Sequence, residues 1–328
     1  MVKRLAGFIV LAALLSYALY IGPSMVSGQL ETPNNRIVYI PKTIDQRVEF
    51  WQVMNQGVLA AAKEFNAQVT VIGTEKESDI DGQIRVLEEA ILQKPKAIIL
   101  AATDYNRLVP AAQKAVQAGI LLITVDSALN GDTAASFIAT DNYTAGQKAG
   151  QALRKWVPDG GNVAIINFVE GSATAMEREQ GVRDSLKTNG RDMLHVVDTF
   201  YSGASEEKAY ELTIRLLKEQ PGLDGIIGLN EPSAVGAGRA IKDLGMSHQI
   251  KLIGFDSSMD EVAFLEDGTM QATVVQKPFT MGYLAVQTAI QTRKGKEVRR
   301  IDTGSEVITK QDMYTNENQK LLFPFVEK

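Results

Sequence analysis

Carboxylates and carboxamides recur in this chain at one place in its rhythm, directly after short apolar runs: Thr103-Asp104, Asp126-Ser127, Asp141-Asn142, Glu170, Asn230-Glu231, Asp256-Ser257 and Gln276. The first apolar run, ending at Ile40, is followed by Pro41-Lys42-Thr43-Ile44-Asp45-Gln46-Arg47 and then by Phe50-Trp51. A hydroxyl-rich ligand both donates and accepts hydrogen bonds. A site that excludes water around it therefore needs carboxylate and amide oxygens for the donors, and guanidinium or amide N–H groups for the acceptors. Asp126, Asp256, Asn230, Gln276 and Arg178 make such a set, and Phe50 or Trp51 offers an apolar face to the C–H side of a ring. That chemistry suits a sugar. Helix capping is the competing account, because Asp256-Ser257 before Met259 and Asp141 before Thr144 stand where N-caps stand.

Nothing comparable points to catalysis. The chain has no P-loop, HExxH or G-x-S-x-G pattern, and Gly236-Ala-Gly238 lacks a third glycine. It has no cysteine and two histidines, His195 and His248, which removes disulfides, thiolate metal sites, a Cys nucleophile and a lipid-modified N-terminal cysteine. The histidines fall beside a predicted strand and in a loop, where an exposed or satisfied imidazole is the ordinary case. An acid/base pair such as Asp256 with Glu231 keeps a sugar-processing enzyme open as a minor alternative. No enzyme activity, cofactor or metal is expected. The net charge of -5, spread without any block of five like charges, lacks the basic stripe that neutralises phosphates, so nucleic acid is not an expected partner.

The positions of these polar groups follow from the elements that carry them. From Arg36 onward, β-branched apolar runs alternate with amphipathic stretches at the ~30-residue period of βαβ units. Strands are predicted at Ile37-Ile40, Val69-Ile72, Ala97-Ala101, Leu121-Val125, Phe137-Ala139, Val163-Asn167, Leu194-Val197, Gly225-Leu229, Lys251-Phe255 and Thr273-Val275. Nearly all are continuously apolar, as strands of a parallel sheet covered on both faces must be. Helical patterns include Phe50–Phe65, Ile84–Leu92, Leu108–Ala118, Thr144–Trp156, Ala209–Leu217 and Ser233–Leu244. Gly119, Gly190 and Gly245 stand at C′ positions, and Pro95 and Pro221 stop their helices. So many units predict an α/β protein of two doubly wound parallel-sheet lobes joined by a multi-strand hinge. The expected division is 36–140 plus 277–303 for the N-terminal lobe and 141–276 plus 304–328 for the C-terminal lobe and tail. In such sheets ligands sit beyond the carboxyl ends of the strands, where the polar residues fall.

Ahead of the lobes, Lys3 and Arg4 precede an apolar run from Leu5 to Ile21 that ends at Gly22-Pro23-Ser24. This predicts an exported protein, periplasmic or at the cell surface. Residues 1–28 fit a signal peptide cut before Gln29 or an uncleaved membrane anchor equally well. The run spans ~25 Å as a helix against a hydrocarbon core of ~30 Å, so its length does not decide. Residues 29–35 form a linker.

Several segments in succession resemble the ribose-type periplasmic binding proteins, whose type I fold is also the core of LacI-like repressors. They are Ile123-Thr-Val-Asp126, Ile138-Ala-Thr-Asp-Asn142 with Gly146 and Gly150, Gly171-Ser-Ala-Thr-Ala-Met-Glu-Arg178 with Gly181, Gly228-Leu-Asn-Glu231 with Gly236-Ala237, Gly254-Phe-Asp256, and Ala272-Thr-Val-Val-Gln276-Lys-Pro. The resemblance runs from about Arg36 to about Glu306. It implies a monomeric solute-binding protein that closes on a small sugar or polyol and delivers it to a membrane ABC permease. A protein presenting a sugar to a sensor histidine kinase or chemoreceptor is the alternative. A repressor would carry a helix-turn-helix where the apolar export segment stands. Carried over by position, Phe50 and Trp51 match the aromatic pair that sandwiches the pyranose, while Asp126, Arg178, Asn230, Asp256 and Gln276 match polar contacts. The chain departs from ribose binders at Asp126-Ser127, where they have Asp-Arg, and at Arg47-Val48-Glu49, where they have Asn-Asn-Pro. Thr43, Asp45, Arg47 and Glu49 are therefore candidates for a rebuilt pocket, Ser127 and Glu231 are further candidate contacts, and Tyr201 is an aromatic candidate near the second-lobe contact. The tail from Asp312 to Phe325 lies beyond the resemblance, and its apolar end is expected to dock on the body.

Overall fold

The computed structural model describes residues 36–188, 191–292 and 300–323. The export segment and linker at 1–35, the cap at Gly190 and the chain end at 324–328 lie outside the described residues.

Fourteen strands and ten helices are described, built on alternation. Strands β1 (Arg36–Ile40), β2 (Gln68–Val71), β3 (Ala97–Leu100), β4 (Leu121–Val125), β5 (Ser136–Ala139) and β13 (Ile301–Asp302) form one parallel sheet in the order β13-β5-β4-β3-β1-β2. Because successive strand residues point to opposite faces, Ile37 and Tyr39 enter one apolar cluster while Val38 and Ile40 enter the other. Helices α1 (Glu49–Glu64), α2 (Ile80–Leu92) and α3 (Val109–Gln117) fill the connections, and α9 (Pro278–Thr292) returns late in the chain to pack beside α1.

The second sheet repeats the pattern. Strands β6 (Asn162–Asn167), β9 (His195–Tyr201), β10 (Leu223–Gly228), β11 (Lys251–Phe255), β12 (Met270–Val275) and β14 (Glu306–Thr309) run in the order β14-β12-β11-β10-β6-β9. Its helices are α4 (Asn142–Leu153), α5 (Ala173–Ser185), α6 (Glu206–Glu219), α7 (Glu231–Asp243) and α8 (Met259–Asp267). Here the sequence expectation needs adjusting. The edge strand β14 is antiparallel to β12, and a short hairpin of β7 (Lys187–Thr188) with β8 (Arg191–Asp192) precedes β9. Strand β9 runs on to Tyr201 rather than stopping at Val197, since its residues stay half-buried beside β6. The chain passes between the sheets three times, after β5, β12 and β13. The tail ends in α10 (Asn316–Leu322), whose Leu322 is buried in the second lobe's core with Leu321 and Phe323 against it.

One close approach fixes the site. A side-chain carbon built on Gly146 of α4 would lie 2.1 Å from the carbonyl oxygen of Arg178 on α5, and one on Gly181 would lie 2.1 Å from that of Tyr143. The two helices thus touch backbone to backbone, which sets where Arg178 stands. Gly146→Ala should force them apart, at a cost of about 1–3 kcal/mol, and should weaken ligand binding by displacing Arg178. Chemical denaturation and calorimetry on that variant check both effects.

Candidate functional site

Matching strands of the two sheets end in matching aspartates. Asp126 follows β4 and Asp256 follows β11, and both adopt the left-handed backbone region, at φ 62° and 81°. In each, the N–H donates to the neighbouring strand, Asp126 to the Ile138 carbonyl at 2.9 Å and Asp256 to that of Val274 at 3.0 Å. Non-glycine residues hold this conformation at a cost, and such strain gathers at functional sites. The two carboxylates line a single crevice, each supplied by its own lobe.

From the first lobe the crevice is lined by Lys42, Val48, Phe50, Trp51, Glu77 and Asp126. From the second come Phe168, Thr174, Arg178, Asn230, Glu231, Pro232, Asp256 and Gln276. The walls leave about 20 Å³ of free space between them, room for one water-sized group. Asp256 accepts from Gln276 Nε2 at 2.7 Å and from the Glu231 N–H at 3.1 Å. Arg178, only 2% exposed, donates through Nε to Asn142 at 2.8 Å and through Nη1 to the Leu229 carbonyl at 2.7 Å. Its guanidinium lies 4.3 Å from the centroid of Phe255 and 5.7 Å from that of Phe168. Two donors are thereby committed to holding the guanidinium in place. Gln276 Oε1 is buried and has no hydrogen-bond partner among the described residues.

Lys42 was not among the expected contacts. Its ammonium is buried 3.1 Å from Asp126 and 3.6 Å from Glu77, and it donates across the cleft to Thr174 at 2.8 Å and Ser172 at 3.2 Å. A second tie runs the other way. Helix α1 has no side-chain cap of its own, and the Glu231 carboxylate of the opposite lobe accepts the N–H groups of Glu49 and Phe50, each at 2.9 Å. Glu49 returns the favour at α8, accepting the Met259 N–H at 3.1 Å. Both contacts satisfy free N–H groups at a helix N-terminus from the opposite lobe and so tie the lobes together.

The crevice is rich in acceptors: Glu77, Asp126, Glu231 and Asp256 face Lys42 and Arg178. Burial raises the carboxyl of Asp256 against the pull of Arg178, and raises Glu77 against that of Lys42. Burial also pushes Glu231 up to about 8, opposed by the two N–H bonds it accepts and assisted by Asp256 and Glu49. A raised acid favours the folded state while protonated. Its contribution is whole below the ordinary carboxylate range and is lost as pH rises through the raised value. Stability should therefore decline from about pH 5 to about 8. Glu231→Gln should flatten the upper part of that decline, which melting curves across pH will show.

Other expected residues are placed differently. Thr43, Asp45 and Arg47 line a wider outer crevice that also reaches Glu231, with Arg47 78% exposed and paired to Asp45 at 2.7 Å. Thr43 donates to the Glu75 carbonyl at 2.8 Å. Ser127 is fully buried next to Asp126, its hydroxyl unpartnered among the described residues, and is not a wall of the crevice. Tyr201 is also off its walls, donating to Glu179 at 3.3 Å on the outer strand of the second sheet. Phe50 and Trp51 meet edge to face, with centroids 5.0 Å apart and planes at 88°. Perpendicular rings cannot stack on both faces of one sugar. Phe168, one residue past β6, supplies an aromatic wall from the other lobe. As for capping, Asp141 does cap α4 through the Thr144 N–H, and Asn230 caps α7 while lining the crevice. Helix α8 is capped by Ser258 in a capping box with Glu261, which leaves Asp256 to the site.

Two α/β lobes whose strand tips converge on one shared, polar-walled crevice define a two-lobed solute-binding protein. The chain matches the periplasmic binding protein domain over residues 37–297 and belongs to that family, one of binding proteins rather than enzymes. It is 27% identical to a D-ribose/D-allose-binding protein of Pseudomonas aeruginosa over 94% of this chain and 99% of that protein. A solved ABC-transporter solute-binding protein from Agrobacterium vitis with bound D-fucose is 36% identical and covers 88% of this chain and 100% of its own, at a TM-score of 0.84. A solved carbohydrate transporter solute-binding protein from Agrobacterium radiobacter, in complex with D-arabinose, is 30% identical, covers 89% of this chain and 100% of its own, and has a TM-score of 0.84.

Proposed function

We propose that this protein captures one monosaccharide, a pentose or hexose, between its lobes outside the cytoplasm and hands it to an ABC permease. The observation that carries this reading is the convergence of Asp126, Arg178, Asn230, Asp256 and Gln276 on one crevice with aromatic walls. Carboxylates accept hydrogen bonds from the ligand's hydroxyls, Arg178 donates to its ring or hydroxyl oxygens, and Phe50, Trp51 and Phe168 cover its C–H faces. The sugars bound by its relatives, among them D-fucose, D-arabinose and D-allose, are of this size and chemistry.

Contacts to both walls at once favour the closed arrangement, because a ligand shifts an equilibrium only by its differential affinity for the two states. The outer surface that then meets the permease differs from that of the open form. Residues 1–28 direct export, as a signal peptide or as a membrane anchor. A thermal-shift screen with D-ribose, D-allose, D-arabinose, D-fucose and D-tagatose tests the reading, since a saturating ligand raises the melting temperature by mass action. No stabilisation by any pentose, hexose or polyol would sink it. Sugar-dependent stimulation of the partner permease's ATP hydrolysis supports delivery, and stimulation of a sensor kinase instead overturns it.

A further inference from the structure

The first of the three crossings between the sheets, at Thr140-Asp141, lies bonded against the last, at Thr303-Gly304. The Thr303 N–H donates to the Ala139 carbonyl at 2.9 Å, the Asp141 N–H to the Asp302 carboxylate at 3.0 Å, and the Thr140 hydroxyl to the Gly304 carbonyl at 3.4 Å. The next residue, Asn142, opens α4. Asparagine is mostly a surface residue, yet Asn142 is only 1% exposed. Capping does not require it, because Asp141 already accepts the Thr144 N–H and hydroxyl. The Asn142 carboxamide is used at both ends instead: Nδ2 donates back to the Thr140 carbonyl at 3.1 Å, and Oδ1 accepts Arg178 Nε at 2.8 Å. Asp256 is held in a similar way, by Gln276, the first residue beyond β12 on the second crossing. Both charged groups that the second lobe's Arg178 and Asp256 bring to the crevice thus lean on a carboxamide at a crossing.

We propose that Asn142 is a positioning residue of the binding site: seated on the first crossing through Thr140, it holds the guanidinium of Arg178 at the angle at which the crevice presents it to a ligand. The bonds from Nε to Asn142 and from Nη1 to the Leu229 carbonyl grip two different corners of the planar group, so together they fix its rotation. Without the Nε acceptor the guanidinium pivots about the Leu229 carbonyl while its face stays on Phe255. A donor that swings away from its acceptor weakens steeply with angle, so a ligand oxygen placed for the held orientation loses its bond. The role in binding rests on the sugar reading above; the hold on Arg178 does not.

The test takes two readouts on the full-length protein. In heteronuclear NMR spectra the Arg178 Nε–H signal, assigned by its disappearance in Arg178→Lys, should be protected from exchange with water in the parent and lose about tenfold or more of that protection in Asn142→Ala. Calorimetry with D-ribose, D-allose, D-arabinose, D-fucose and D-tagatose supplies the affinities. For each sugar that binds the parent, Asn142→Ala should weaken binding by about tenfold or more, as expected for the loss of a charge-assisted hydrogen bond's alignment. The same substitution made on top of Arg178→Lys should cost less than about twofold, because lysine keeps the charge but has no Nε–H for Asn142 to hold. A merely structural Asn142 predicts equal losses in both backgrounds. That result overturns the proposal, and so does an Nε–H signal left unchanged by Asn142→Ala. Asn142→Leu, which keeps the volume and loses both bonds, carries the same expectations if the alanine variant does not fold. If none of the five sugars binds the parent, the sugar reading falls, and the Nε–H signal still decides whether Asn142 holds Arg178.

Discussion

Asp256→Asn should cost at least a hundredfold in sugar affinity while the fold survives. Asparagine keeps the size of the side chain and tolerates the left-handed backbone that Asp256 holds at φ 81°, so strain is not what the substitution probes. It removes one of two carboxylate oxygens that already order Gln276 and the Glu231 N–H. An amide N–H₂ then points at a donor or at a ligand hydroxyl that needs an acceptor. A charged hydrogen bond lost in a dry crevice is worth about 1.5–3 kcal/mol, and an unpaired buried group adds its own desolvation cost. Calorimetry with the sugar that binds tightest is the measurement, with circular dichroism confirming the fold. Affinity within a factor of three of the parent would show that Asp256 does not touch the ligand.

Lys42→Met should be the most damaging single change to stability, at about 3–5 kcal/mol, because it leaves buried charges without their counterion. Glu77 and Asp126 would face each other with no cation at 3.6 Å or 3.1 Å, and the donors to Ser172 and Thr174 across the cleft would vanish. Methionine matches the lysine stem in length, so little packing is lost with the charge. The double variant Lys42→Met with Asp126→Asn should recover part of the loss, since it removes a stranded charge. Urea denaturation of both variants provides the comparison. If Lys42→Met falls within 1 kcal/mol of the parent, the ammonium holds neither lobe.

The architecture was legible because parallel strands covered on both faces are spelled as unbroken apolar runs. Val163 to Asn167 and Lys251 to Phe255 stand out for that reason. Edge elements lack that spelling: β14 is short, with only Ile308 fully buried, and its direction depends on a tertiary pairing with β12. In the crevice, Asp126, Arg178, Asn230, Asp256 and Gln276 were legible from their places at strand tips and in family motifs. Lys42 and Glu77 were not, because a lysine after a strand and a glutamate within Glu75-Lys76-Glu77 look like solvated loop charges. In the fold both are buried in the crevice, Lys42 bonded to Ser172 and Thr174 of the other lobe. Phe168 did carry a usable signal, standing immediately beyond β6. Phe50 and Trp51 show the limit of analogy: adjacency in sequence fixed their presence, and the helix start fixed their perpendicular planes.

The most direct measurement is a crystal structure of the protein soaked or grown with the tightest-binding monosaccharide of the panel. The account requires one sugar ring between the lobes, its hydroxyls within hydrogen-bond distance of Asp126 and Asp256, an oxygen on Arg178, and a C–H face on Phe168. A sugar bound to one lobe alone, or lodged outside this crevice with Asp126 and Asp256 untouched, would contradict it.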